Sequence, residues 1–252
     1  MSPLYPEESK KLDVISHLEE LRKRILWCVG IIAAASCGAF FAGDRILAAA
    51  KKPIEGLVDS IIFISPAEAF TAYLKVIILT GFVASFPVII YHLWAFLSPA
   101  FEKKKRKRII VWLVLALALF FAGITFSYSV AIPTALKFLI AFGKNIAVPA
   151  ISLGKYISFF GALILAGGMI FEIPVVIGLL ADVGMLRSSS LRKKRHIAVL
   201  AIMVVAAVIT PTQDILNMLI FAVPMILLYE MGILIARIIE KKNKQLLTKK
   251  VT

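Results

Sequence analysis

Six apolar blocks, most of them about 20 residues long, alternate with short polar stretches, and this alternation restricts the fold more than any other feature. An α-helix needs about 20 apolar residues to cross the roughly 30 Å hydrocarbon core of a bilayer. Within lipid each backbone N–H and C=O must find its partner inside the chain, so an isolated apolar block of that length becomes a helix. The apolar share of 60% and the mean hydropathy of +0.92 exceed what a soluble domain can cover with polar surface. The fold class expected is therefore all-α: a polytopic membrane protein of six transmembrane helices, forming one integral membrane domain over 1–252.

Residues 1–24 read as an amphipathic arm, because Leu12, Ile15, Leu18, Leu21 and Ile25 recur at helical spacing. Ser16 and Glu19 have capping-box spacing, which predicts a helix start at Ser16. The spans are then expected at about 25–42, 70–96, 109–132, 156–180, 197–209 and 215–235, within a bundle covering 25–237, followed by a basic tail over 238–252. Pro87 is expected to kink the second span. The stretches 44–68 and 133–155, broken by prolines and glycines, are placed outside the membrane. In the fourth span Gly161, Gly167, Gly168 and Gly178 are available for close helix contact. The fifth block is short for a span, and the brief turn at 210–214 makes it a hairpin with the sixth.

The formal charge of +14 is not spread over a face. It lies in clusters at 103–108, 192–195 and 241–250, between or after apolar blocks, as topology signals do; nucleic-acid binding is not expected. The extracytoplasmic stretches hold few lysines or arginines, so both termini are read as cytoplasmic, in a cytoplasmic (inner) membrane. The start of the chain is acidic and polar, unlike a cleavable signal peptide. Cys28 and Cys37, both within the first span, read as packing residues.

No nucleotide-binding loop, zinc-protease helix or nucleophile elbow is present, and His17, His92 and His196 lie in separate segments. Neither an enzyme, a metal site nor a cofactor is expected. The informative residues are acids inside apolar blocks. Glu172 sits near the middle of span four, two residues before Pro174, where an ionisable group is costly and marks a cavity or partner contact; a protonated side chain bonded to the freed backbone is the structural alternative. Glu230 reads as structural, and Lys75 as a lysine snorkelling outward.

Several stretches together resemble the TatC family, a subunit of the twin-arginine protein translocase. They are HLEELRKR at 17–24, FPVIIYHLWAFLSPAF at 86–101, FEIP at 171–174, LRKKR at 191–195, ITPTQD at 209–214, and AVP with YE at 222–224 and 229–230. They occur in the family's order over about residues 12–237. The resemblance implies a receptor for signal peptides with paired arginines. Its surface would join Glu20 and Arg22 of the arm to Phe96, Leu97, Ser98 and Pro99 of the first cytoplasmic loop. A guanidinium favours a planar carboxylate, which singles out Glu20, although Arg24 stands at i,i+4 from it and offers an intrahelical pair.

Two positions depart from the family pattern. Lys105 stands where the family has a glutamate, and Glu102, one turn earlier, is the expected substitute. His92 occupies the place of a family glutamine. The resemblance further implies single-span TatA- and TatB-type partners, a lipid environment, self-association in a larger complex and export of folded proteins driven by the proton-motive force. Pro211 and Asp214 would be partner contacts, and Glu172 would face into the concave wall. The alternative is a proton- or ion-coupled solute transporter using Glu172 and Glu230 as a relay.

Overall fold

A computed structural model describes residues 6–97, 106–144, 148–209 and 215–251, with side chains described over 16–96, 110–144, 148–209 and 218–242. The helices are α1 (Pro6–Phe40), α2 (Gly43–Lys51), α3 (Pro66–Leu97), α4 (Arg106–Phe126), α5 (Ile132–Lys144), α6 (Leu153–Phe171), α7 (Ile173–Val183), α8 (Ser188–Lys193), α9 (Arg195–Ile209) and α10 (Ile215–Val251). Two short strands, β1 (Ile61–Ile62) and β2 (Ile151–Ser152), pair in parallel.

Among the described residues, five helical segments are long and apolar enough to cross a membrane: Ser16–Phe40, Pro66–Phe96, Ile110–Lys144, Leu153–Val183 and Met218–Lys242. The apolar α9 has 15 residues, about 22 Å at 1.5 Å per residue, short of a full hydrocarbon core. The brevity expected of this block is therefore a property of the folded chain.

Several boundaries differ from the sequence-based expectation. Ser16 does not start a helix. It lies in the interior of α1, which begins at Pro6 and runs unbroken from arm to span over 35 residues. At about 52 Å, α1 is far longer than a bilayer core is thick, so its polar first third projects beyond the apolar part. α3 is a single helix with Pro87 inside it, as expected of one second span. Past Ile132 the chain stays helical: a π-helical turn over Ser127–Ala131 joins α4 to α5, and the helix reaches Lys144. The fourth span is divided at Glu172, since Pro174 cannot donate a hydrogen bond to the preceding turn. α10 carries on through the basic tail to Val251.

α1 packs along α3, α3 and α4 against α6, and α7 and α9 against α10. The larger core joins Val76, Ile132, Leu163, Ile177, Phe221 and Ala236; a second, aromatic core joins Phe86, Trp94, Trp112 and Phe120 with Val175. α4 and α6 approach so closely that a Cβ on Gly167 would overlap Ser127 Oγ and the Gly123 carbonyl. A Cβ on Gly178 would likewise overlap the Trp112 ring. Gly161 meets only Leu79, at 3.7 Å, so the close-contact role expected of it falls to its neighbours.

Two of the described segments between spans, 41–65 and 148–152, fold back onto the bundle. Tyr128 Oη donates to the Ala49 carbonyl (2.9 Å) and Tyr156 Oη to that of Ala50 (2.5 Å), fastening α2. Glu68, in the first turn of α3, accepts from Ser152 Oγ and the Gly154 N–H (2.7 Å) through Oε1, and from the Ile64 N–H (2.7 Å) through Oε2. One carboxylate thus ties both inter-span segments, next to the β1–β2 pairing.

Candidate functional site

The arm and the end of α3 meet at His17. Its ring stacks on Phe96 with centroids 4.2 Å apart and planes inclined by 15°. Three residues on, at the next position of the same helical face, stands Glu20. Its Oε1 accepts from Arg24 Nε (3.0 Å) and Nη2 (2.5 Å), and its Oε2 lies 3.8 Å from His17 Nδ1. The i,i+4 pair is therefore formed, and Glu20 faces two basic side chains of its own helix. Glu20 is 39% and Arg24 24% exposed at the side chain, so an external ligand can reach both.

Of the residues singled out for this surface, Glu20 and Phe96 are brought together through His17. Arg22 is exposed and, two positions from Glu20, turns to another side of the helix. Leu97 is the last residue of α3, while Ser98, Pro99, Glu102 and Lys105 lie outside the described residues, as do Pro211 and Asp214. His92, one helical turn before Phe96, carries a buried Nδ1 without a hydrogen-bond partner among the described residues.

A second polar position lies within the bundle. Glu172 is 7% exposed at the junction of α6 and α7, and its buried Oε1 has no hydrogen-bond partner among the described residues. Its backbone is fully used: the N–H donates to the Met169 carbonyl (3.2 Å), and the carbonyl accepts from the Val176 N–H (3.0 Å). The carbonyl freed by Pro174 does not serve as the acceptor for Oε1, which itself accepts from nothing described. A buried carboxyl oxygen in this state is either an acid in want of a partner or the opening of a polar path.

The other singled-out charges have side-chain partners on neighbouring helices. Glu230 Oε2 accepts from Arg195 Nη2 at 2.5 Å, and Lys75 Nζ donates to Ser158 Oγ at 2.8 Å. Sequence reasoning passed over two acids. One is Glu240, whose oxygens accept from the Ser188 N–H (2.5 Å) and Ser188 Oγ (2.7 Å), so that α10 caps α8. No local signal marks it, because its partner is 52 positions away. The other is Glu68, and its signal was present: Ser65-Pro66-Ala67-Glu68 has capping-box spacing with proline at the first helical position.

A bundle of apolar helices, a polar arm continuous with the first of them and a buried carboxyl at a helix break define a polytopic α-helical membrane protein with two separate polar sites. Comparison with known proteins specifies the class. The sequence model of the family described as Sec-independent protein translocase protein (TatC) matches residues 16–224. The Sec-independent protein translocase protein TatC of Carboxydothermus hydrogenoformans is 35% identical over 236 residues, covering 94% of this chain and 97% of that one. Its counterpart in Escherichia coli is 33% identical over 234 residues, covering 92% and 90%. Two crystal structures of the twin-arginine translocase receptor TatC superpose with TM-scores of 0.77 and 0.78. Their identities are 31% and 32%, covering 89% and 87% of this chain and 99% of each of the others. The chain belongs to the TatC family. The solute-transporter alternative finds no support in these relatives.

Proposed function

We propose that this chain is the receptor subunit of a twin-arginine translocase, a binding protein and not an enzyme. In this reading it recognises signal peptides with paired arginines and, with TatA- and TatB-type partners, exports folded proteins using the proton-motive force. Family membership supports the class, and the names of the solved relatives supply the ligand. The observation that carries the reading to this chain's own residues is the Glu20 carboxylate, accessible on the arm and braced by the His17–Phe96 stack against α3. A carboxylate whose oxygens accept guanidinium donors is chemically suited to an arginine of a ligand.

The remaining assignments belong to the same reading. Glu20, Phe96, Leu97, Ser98 and Pro99 form the peptide surface, with Arg22 at its margin on the adjoining side of the arm and Glu102 in place of the glutamate that Lys105 displaces. Glu172 is a polar docking point within a concave wall of six spans, and Pro211 and Asp214 are partner contacts. The chain sits in the cytoplasmic membrane, self-associated in a larger complex, with both termini in the cytoplasm. The clustering of lysine and arginine supports that orientation.

The test is binding of a twin-arginine signal peptide to the purified protein in detergent, beside a twin-lysine version. The twin-arginine peptide is expected to bind about tenfold or more tightly, as the loss of a charge-assisted bond implies. Equal affinities would refute the receptor reading.

A further inference from the structure

The carboxylate assigned to the ligand is already engaged. Arg24 presents Nε and Nη2 to the same oxygen of Glu20, and His17 Nδ1 lies 3.8 Å from the other. An incoming guanidinium binds a carboxylate best through two parallel bonds, one to each oxygen. Against the observed arrangement it can reach Oε2 alone, and there it meets the Arg24 charge and the His17 ring. The two-bond geometry requires Arg24 to leave.

We infer that Arg24 is an internal stand-in for the signal's arginine, a residue that competes for Glu20 and thereby sets the receptor's affinity threshold; this deepens the function proposed above and rests on it. Every basic ligand meets the same displacement cost, so a weakly held one fails to engage while a paired signal still does. The stand-in also gives Glu20 a partner once the peptide departs, which avoids leaving a half-buried carboxylate uncompensated. A contact four residues away on one helix suits this use, because such pairs are weak and re-form without any rearrangement of the fold. Lys23, beside Arg24 in the arm, is exposed and makes no described contact with Glu20, so it separates the effect of the contact from that of charge.

The experiment is a double-mutant cycle on the full chain in detergent, reading the Kd of a twin-arginine peptide for wild type, Arg24→Gln, Glu20→Ala and the double variant, with Lys23→Gln as the charge-matched control. Arg24→Gln is expected to bind about two- to tenfold more tightly than Lys23→Gln, the range between an i,i+4 helix pair and one charge-assisted bond. In the Glu20→Ala background the same substitution is expected to give no gain over Lys23→Gln. Unchanged or weaker binding by Arg24→Gln, with wild type still preferring paired arginines to paired lysines, overturns the stand-in and leaves the receptor reading in place. A gain that persists without Glu20 overturns it too, assigning the effect to general charge. If wild type itself does not distinguish the two peptides, the receptor reading falls and the stand-in with it.

Discussion

Glu20 and Glu172 show how differently one residue type behaves in two environments. Glu20 has donors within reach and water nearby, so it is a carboxylate arranged for exchange. Glu20→Ala is expected to weaken twin-arginine peptide binding about tenfold or more while leaving twin-lysine binding nearly unchanged, as titration of both peptides would reveal. Glu172 has a buried oxygen without a hydrogen-bond partner among the described residues, which no folding argument favours. Replacing it with Leu removes the unmatched polar atom and is expected to leave the detergent melting temperature unchanged or raised. If Glu172 receives a polar group of a partner, the same variant loses export activity. A lower melting temperature would show that the carboxyl has a structural partner after all.

At the level of elements, a serine three residues before a glutamate occurs twice, and only one instance starts a helix. Ser16 and Glu19 lie where α1 is already under way, whereas Ser65 and Glu68 stand at the first turn of α3, with Pro66 at its first position. The spacing alone does not distinguish them; the proline does, since it removes a donor that a helix interior needs. Glu68 then reaches beyond its own helix to Ser152 and Gly154. Glu68→Ala is expected to release the pairing of 61–62 with 151–152, seen as faster amide hydrogen exchange at Ile64 and Gly154 while the spans stay protected. Helix contact offers the opposite case, where addition is harmful. Gly167→Ala is expected to lower stability by about 1–3 kcal/mol, the cost of overpacking, read as a lower melting temperature in detergent. Gly161→Ala, with only an ordinary contact at 3.7 Å, serves as its neutral partner.

Across the whole molecule, burial is uneven. No described residue of α1 is buried, and Leu26, Trp27 and Val29 face outward, while α6 and α7 hold much of the core. α1 is thus a peripheral helix leaning on α3, and among the described side chains of its arm the His17 ring stacks on Phe96 of α3. His17→Ala is expected to loosen the arm and weaken peptide binding, with Phe96→Ala matching it and the double variant adding nothing further. Independent, additive losses would show that the stack does not position the arm. Orientation is tested at the same scale. In a background lacking Cys28 and Cys37, single cysteines in the arm and the tail are expected to react from the cytoplasmic side, and one at Leu57 from the other.

The apolar blocks by themselves determined that this chain forms membrane-crossing helices, because lipid leaves the backbone no partner but itself, and the order of short motifs along it determined the family. The brevity of α9 was legible for the same reason: block length converts directly into helix length. Tertiary structure alone decided where a helix continues past an apolar block, as in α5, whose Ala135, Leu136 and Ile140 are buried against the bundle. It also decided which acids have partners. Glu240 finds Ser188 and Glu68 finds Ser152 over long separations, Glu20 finds Arg24 at a distance the sequence already contained, and the buried oxygen of Glu172 accepts from none of the described residues. Hydrogen bonding is directional and short-ranged, so residue type can nominate a carboxylate, and only the placement of donors around it assigns its role.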